Sequence, residues 1–299
     1  MKFIGIWLVN SVKYAFLILA GGKGSRLYPL TVDCPKPYLP VYYDNNEIIR
    51  MLDIPIEFCM KHNIPIYLAV DYKSDVLDYL KENKNIKFIY TRNDNLCDSL
   101  AQCLCVLKDD GVEKYSVYAG DFLIPEEVIL KMMEYMDKYE KVVLCSRVSK
   151  YSKIKLNDDE LTDLTFHISK VDSGLKKFAC LNDVSLIWKD EDVSKVKKVI
   201  TEVNNIDMGI PDSYYEAVIK LNSDKVDSNG NLLFSNAKVN PKSLNVIALP
   251  NSDSSEVILK NAIVPEGKKI CSQEEVLSVN DINANYFDDI CIKKYIRSR

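Results

Sequence analysis

In the stretch LILAGGKGSRLYPLTVDCPKPYLPV (Leu17 to Val41), three glycines close an apolar run: Gly21, Gly22 and Gly24. Arg26 and Lys36 follow in a loop punctuated by Pro29, Pro35, Pro37 and Pro40. Glycines without Cβ atoms let backbone N–H groups turn toward a polyphosphate and accept conformations closed to other residues. Arg26 adds a planar fork of donors and Lys36 a point charge, the two kinds of fixed positive charge a triphosphate needs. The prolines stiffen the loop, so that both cations are in place before a ligand arrives. A glycine turn carrying surface cations would explain the three glycines alone, but not their spacing from Arg26 and from Pro35-Lys36-Pro37. Two other phosphate motifs are excluded. The dinucleotide fingerprint needs a third glycine where Leu27 stands, and the P-loop needs Gly-Lys-Ser/Thr, whereas Lys23 here precedes Gly24.

The elements that must hold this loop are legible as an alternation. KYAFLILAGG reads as a buried parallel strand ending in glycine, and ligands of open parallel sheets bind beyond such carboxyl ends. EIIRMLDIPIEFCMKHNI carries a helical stripe at Ile48, Ile49, Leu52, Ile56 and Met60, with a kink expected at Pro55. PIYLAVDY, IKFIYT, YSVYAGDF and KVVLCSRV read as strands. SDVLDYLKEN, capped at Ser74, DSLAQCLCVLKDD and PEEVILKMMEYMDKYE read as helices. The second half is less regular. DLTFHISKVD and KFACLNDVSLIW read as strands, DVSKVKKVITEV and SYYEAVIKL as helices, and VDSNGNLLF as a hairpin turned at Asn-Gly. No repeat, linker or low-complexity run is visible. The expectation is one α/β domain over 14–299, with a mostly parallel sheet and helices on both faces in 14–150. A small α+β lobe follows in 151–299, and 1–13 form an N-terminal extension.

Composition narrows the class. The chain has 299 residues, 47% of them apolar and 27% charged, ample for a large core. A net charge of −4 with scattered lysines argues against a nucleic-acid surface. The apolar run in MKFIGIWLVN is too short to span a membrane and no small-residue cleavage site follows it. Nine cysteines without a C-x-x-C pair read as reduced thiols of a cytoplasmic protein, and two histidines, His62 and His167, exclude a His-rich metal site.

The signature itself resembles that of the nucleoside-triphosphate:sugar-1-phosphate nucleotidyltransferases, or pyrophosphorylases. Their pattern is roughly L-A-G-G-x-G-[ST]-R-L-x-P-L-T followed by P-K-P, and every position is met. LPVYYDNNEIIRMLDIPIEFCMKHNI is similar to the next segment of the hexose-1-phosphate thymidylyltransferases, and CDSLAQCL to their P-D-G-L-A-Q-A segment. Gly120-Asp121 matches the family's metal-binding Gly-Asp strand end. The resemblance is close over about residues 14–125 and loose beyond. It implies a Rossmann-like, GT-A-type fold; the left-handed β-helix repeats that follow the domain in some relatives are not expected from this sequence.

It also implies the chemistry. A sugar-1-phosphate oxygen, already an anion, attacks the α-phosphorus of a nucleoside triphosphate and pyrophosphate leaves. Catalysis is then positioning and charge neutralisation, not general-base work. By resemblance, Arg26 and Lys36 contact the phosphates, and Leu19, Ala20, Gly21, Gly22 and Gly24 pass close to the nucleotide. Asp98 and Ser99 stand where the family has Asp-Gly beside the base, so Ser99 adds a side chain there. Asp121 would hold Mg²⁺. A second ligand is Asn280, from EEVLSVNDINANYFDDI, with Asp253 in NSDSSEVILKN as its competitor. For the phosphorylated acceptor, Lys170 stands in for the lysine of a Glu-Lys-Pro motif and Asn182 for a strand asparagine. The partners implied are a nucleoside triphosphate and a phosphorylated small molecule, and an oligomer is compatible with the family. Two rival readings are a phosphocholine cytidylyltransferase-like enzyme and a non-catalytic nucleotide-sensing subunit on the same fold.

Overall fold

The computed structural model describes residues 14–44, 47–91, 95–146, 154–156, 159–161, 166–178, 195–201 and 206–279. The chain runs through β1 (Tyr14–Leu19), β2 (Pro40–Asp44), β3 (Glu47–Arg50), α1 (Asp53–Lys61), β4 (Ile66–Val70), β5 (Ile86–Tyr90), α2 (Leu96–Asp109), β6 (Lys114–Ala119), β7 (Phe122–Leu123) and α3 (Glu126–Met133). It continues through β8 (Lys141–Ser146), β9 (Ile154–Leu156), β10 (Asp159–Leu161), β11 (Phe166–Lys170), α4 (Val171–Phe178), β12 (Val196–Thr201), β13 (Ile206–Asp207) and α5 (Pro211–Leu221). Short strands follow: β14 (Leu232–Leu233), β15 (Lys238–Val239), β16 (Leu244–Ala248), β17 (Asp253–Ser254), β18 (Lys260–Val264) and β19 (Leu277–Ser278).

The first nine-stranded sheet has the order β5-β4-β1-β6-β11-β8-β10-β9, with β12 also paired to β8. β10 and β11 run against the other seven, which makes the sheet mostly parallel. β1 is nearly continuous in apolar residues because both its faces are covered. Tyr14, Phe16 and Ile18 pack in one layer with α1 and α3, while Ala15 and Leu17 pack in the other with α2. Four local expectations give way. Ile48 and Ile49 of the helical stripe lie in strand β3, which pairs with β2, and α1 begins only at Asp53. Pro55 lies in the first turn of α1, where it breaks no backbone bond and bends nothing. The Ser74–Glu82 segment is a 3-10 helix entered through Lys73 at φ 50°, without a side-chain cap. DVSKVKKVITEV supplies strand β12, not a helix. Its apolar positions are all β-branched, and parallel pairing with β8 overrides the helical spacing.

The larger correction lies in residues 229–279. No repeat is visible there in the sequence, yet the chain winds through three stacked turns of a parallel β-helix. Leu232 pairs with Ile247 and Ile247 with Ile263. Leu233, Ala248 and Val264 stack in the same way. On the next face Lys238 pairs with Asp253, and Asp253 bridges to Lys269. The corners are left-handed residues in register, Gly230, Asn245 and Asn261 at one and Asn236, Asn251 and Gly267 at another. Asn245 Nδ2 donates to Asn261 Oδ1 at 3.0 Å, and Asn236 Nδ2 to Asn251 Oδ1 at 3.2 Å. Asn229-Gly230 is therefore a coil corner and not a hairpin turn. Asparagine tolerates the left-handed region nearly as glycine does, so the corners do not share one residue type. The strand step is also uneven, 15 residues from 232 to 247 and 16 from 247 to 263.

This β-helix positions the site. Leu232, Phe234, Ile247, Leu249 and Ile263 turn one face into a core shared with α5, β2 and β3. Leu27, Leu30 and Leu39 of the phosphate-type loop enter the same core. The loop is thus anchored by its leucines while its glycines and cations stay at the edge of the sheet.

Candidate active site

The carboxyl ends of β1, β4 and β6 lie side by side, β1 between the other two. Ala20 N–H donates to Ala69 O at 2.8 Å and Gly120 N–H to Leu19 O at 3.1 Å, which carries the pairing to the sheet's last residues. Beyond it the chain passes too close to its neighbours for any other residue. A Cβ on Gly21 would lie 3.0 Å from the backbone nitrogen of Asp71. Gly24, at φ 64°, would place one 2.8 Å from Lys36 Cβ. Gly22 faces open space. Among the described residues, no N–H of Gly21, Gly22, Lys23 or Gly24 donates to a protein acceptor, so the turn offers a row of free donors. Thr31 Oγ1 donates to Gly24 O at 3.1 Å, and the Tyr72 hydroxyl donates to the carbonyls of Thr31 and Val32 at 3.1 and 2.9 Å.

Lys36 opens a 3-10 turn, Lys36–Tyr38, and its Nζ donates to the Asp121 carboxylate. Both side chains are mostly buried, at 15% and 14% exposure. Gly120 makes this approach possible, since a Cβ there would lie 2.7 Å from Leu19 O and 2.9 Å from Pro37 Cγ. Gly120→Ala is therefore expected to destabilise the protein by about 1–3 kcal/mol, because backbone and a proline ring must both shift. Chemical denaturation of the purified variant checks this, and an unchanged midpoint would show that the crowding is not real. Arg26 is exposed on the Ser25–Leu27 turn, whose Leu27 is buried, and makes no ion pair with the described residues. Its charge is available to a ligand.

Asp98 and Ser99 lie in the first turn of α2, whose N-cap Asn95 accepts from Cys97 N–H at 2.9 Å. Thr91, just past β5, donates its N–H to Val70 O at 3.0 Å, and Cys97 packs with Leu17 and Ala69. The N-terminus of α2 therefore stands at the same edge of the sheet as the glycine loop. The structure brings together Leu19, Ala20, the glycines, Lys36 and Asp121, with α2's first turn and Arg26 beside them.

Other expectations separate from this edge. Lys170 pairs with Lys114, at the opposite end of β6, and its ammonium lies 3.6 Å from Glu140. β11 is antiparallel, so its last residue points away from the carboxyl edge, and Lys170 is not at the site. Asp253 is also elsewhere. It lies on the β-helix, where its carboxylate accepts from Ser255 N–H and Oγ at 3.0 and 2.6 Å, bonds that hold its pKa below the usual range. Asn182 and Asn280 fall outside the described residues. The strand leading toward Asn280, β19, pairs with β18 in the β-helix and not with the main sheet.

One aspartate escaped the sequence reading. β13 pairs antiparallel with β7, setting Ile206 opposite Leu123 and Asp207 opposite Phe122, and Met208 N–H donates to Asp121 O at 3.0 Å. Met208 thus lies opposite Asp121, and the backbone of Asp207 lies opposite Phe122, one register step away. Its signal was weak, because a two-residue strand has no periodicity to read and its partner lies far away in sequence. The free thiol of Cys34, in the loop, is pushed up to about 11 mainly by burial, with the nearby Glu266 charge adding to it. It stays protonated near neutral pH and is no nucleophile. Among the described residues no three His, Cys, Asp or Glu side chains cluster as a metal cage. The Asp121 carboxylate at the carboxyl edge suits a hard cation that takes its remaining oxygens from phosphates and water, which is how Mg²⁺ is usually held.

Comparison with known proteins agrees with this geometry. Residues 15–160 match the family model described as nucleotidyl transferase. The chain is 30% identical over 133 residues to the bifunctional protein GlmU of Methanocaldococcus jannaschii, covering 44% of this chain and 29% of that protein. It is 27% identical over 184 residues to the chloroplastic/amyloplastic glucose-1-phosphate adenylyltransferase small subunit of Triticum aestivum, covering 52% of this chain and 35% of that one. The chain thus spans about a third of the length of these curated relatives. Among solved structures, the mannose-1-phosphate geranyltransferase of Thermus thermophilus superposes with a TM-score of 0.60 at 15% identity, covering 90% of this chain and 95% of that one. At that identity the likeness establishes the fold, which is the Rossmann-like, GT-A-type α/β architecture. The span 15–160 that matches the nucleotidyl transferase family model contains the glycine loop, Lys36 and Asp121 on their shared edge.

Proposed function

We propose that the protein is a Mg²⁺-dependent nucleotidyltransferase that condenses a nucleoside triphosphate with a sugar-1-phosphate, giving a nucleotide-sugar and pyrophosphate. The observation that carries this reading is the placement of Lys36 against Asp121 at the end of β6, next to the free N–H groups of Gly21–Gly24. An acceptor phosphate oxygen forms the new bond to the α-phosphorus. The bond from that phosphorus to the bridging oxygen breaks, and the electron pair leaves with pyrophosphate. The nucleophile needs no deprotonation, which suits a site without histidine. The glycine N–H groups and Arg26 grip the polyphosphate, and Lys36 meets the charge that grows as the bond to pyrophosphate breaks. Asp121 would hold Mg²⁺, which neutralises phosphate charge when bound. Asp98 and Ser99, at the start of α2, border the base.

The cytoplasm is the proposed location. The described cysteines Cys34, Cys59, Cys97, Cys103, Cys105 and Cys271 are all free, as in a reducing compartment. No described helix is long and apolar enough to cross a membrane.

The deciding experiment is pyrophosphate release by the purified protein with Mg²⁺, each nucleoside triphosphate being tried against hexose-1-phosphates and phosphocholine. Release that requires one triphosphate and one sugar-1-phosphate is the expected result. Release with phosphocholine instead would transfer the activity to that acceptor class. Triphosphate binding without release for any pair would replace the enzyme reading with a nucleotide sensor.

A further inference from the structure

The turn that carries Lys36 is held by a residue 228 positions beyond Tyr38 in the chain, Glu266 on the third coil of the β-helix, acting through Arg50. Arg50 ends β3, and both terminal nitrogens and one face of its guanidinium are engaged. Nη1 donates to Tyr38 O at 2.7 Å and to Glu266 Oε2 at 3.0 Å. Nη2 donates to Glu266 Oε1 at 3.0 Å. The guanidinium carbon lies 3.7 Å from the centre of the Tyr38 ring. The backbone beneath is fixed as well, for Arg50 N–H donates to Asp53 Oδ2 at 2.8 Å. Tyr38 closes the same turn that Lys36 opens. Tyr38 N–H bonds to Pro35 O at 2.9 Å and Leu39 N–H to Lys36 O at 3.1 Å.

Stability alone does not account for this arrangement. A partly buried ion pair gives up in desolvation much of what it gains in attraction, and apolar residues would join the two surfaces as well. What apolar residues lack is the planar fork, which here meets a carboxylate, a carbonyl and a ring face together. Glu266 is itself placed by the coil. The next residue, Gly267, turns at φ 69° and its N–H bonds to Pro250 O at 2.9 Å on the coil before. The neighbouring pair Lys268–Asp33, at 2.7 Å, spans the same boundary but is exposed and reaches no residue of the Lys36 turn.

We propose that this β-helix corner is part of the catalytic scaffold: through Arg50 and Tyr38, Glu266 fixes the turn that aims Lys36 at Asp121. Arg50 and Glu266 are positioning residues, and the inference rests on the reading of Lys36 as the phosphate cation. Four full-length proteins test it: wild type, Glu266→Gln, the doubly neutral Arg50→Gln/Glu266→Gln, and Asp33→Asn. The double variant leaves no lone buried charge if Glu266→Gln fails to fold. Amide hydrogen exchange of the peptide spanning 35–41 should become about tenfold faster in the two brace variants, with β1 and β4 unchanged. In the same proteins kcat for pyrophosphate release should fall about tenfold to a hundredfold, with the triphosphate KM within about threefold. Asp33→Asn should match wild type in both measurements. Unchanged exchange in 35–41, or faster exchange with unchanged kcat, would overturn the proposal. Wild-type protein without pyrophosphate release would instead defeat the functional reading, and the exchange data alone would still decide whether Glu266 holds the turn.

Discussion

Lys36→Ala is expected to lower kcat by about two to three orders of magnitude while the KM for the magnesium triphosphate moves by less than about threefold. The reason is where the charge sits. In the proposed reaction Lys36 would be one of several groups that meet the ground-state polyphosphate, together with the unpartnered glycine N–H row and the exposed Arg26. Losing one of these weakens binding modestly. In the transition state negative charge grows on the departing oxygens, and a preorganised ammonium in a partly desolvated site counts far more there. The Lys36 ammonium is already in place, held against Asp121 by a turn that Pro35 and Pro37 stiffen, so no reorganisation is required during the reaction. Lys36→Arg should recover little, because a larger planar fork does not reproduce a compact point charge held against Asp121. Steady-state and single-turnover pyrophosphate release measure this split. A variant with wild-type kcat and a raised KM would make Lys36 a binding residue only.

What sequence could and could not reveal follows from how local each feature is. The placement of the glycine loop, Lys36 and Asp121 on one edge was legible because it is written in neighbouring residues: close approach demands glycine, and stiffness demands proline. β1, β4, β5 and β6 were legible because strands buried on both faces leave continuous apolar runs. The β-helix was hidden by an uneven step and by asparagines standing where corner glycines would signal a repeat. β12 was hidden because a run of Val and Lys satisfies helical spacing until a neighbouring strand claims it. Lys170 was misplaced because residue order along the chain does not reveal that β11 runs antiparallel, with its end at the wrong edge of the sheet. Asp207 was missed for a related reason. Its position one register step from Asp121 exists only through pairing between two two-residue strands.

Asp121→Asn separates the metal from the lysine, and its two effects should run in opposite directions. Turnover in Mg²⁺ is expected to fall by about two to three orders of magnitude, since a neutral amide oxygen is a poor substitute for a carboxylate toward a hard cation. Affinity for the triphosphate without metal should rise about threefold to tenfold, because the change removes a negative charge beside the phosphates and frees Lys36 to meet them. Lys36→Ala should shift metal-free affinity the other way, downward. Isothermal titration of each variant with triphosphate in excess chelator, beside kinetics in Mg²⁺, gives both quantities. A general loss of structure cannot produce this pattern, since it would lower binding and turnover together. If Asp121→Asn keeps its turnover in Mg²⁺, the metal is held elsewhere. If its metal-free affinity also falls, Asp121 orients Lys36 more than it opposes the phosphates, and the ion pair at the end of β6 is a positioning contact and not the resting form of a metal site.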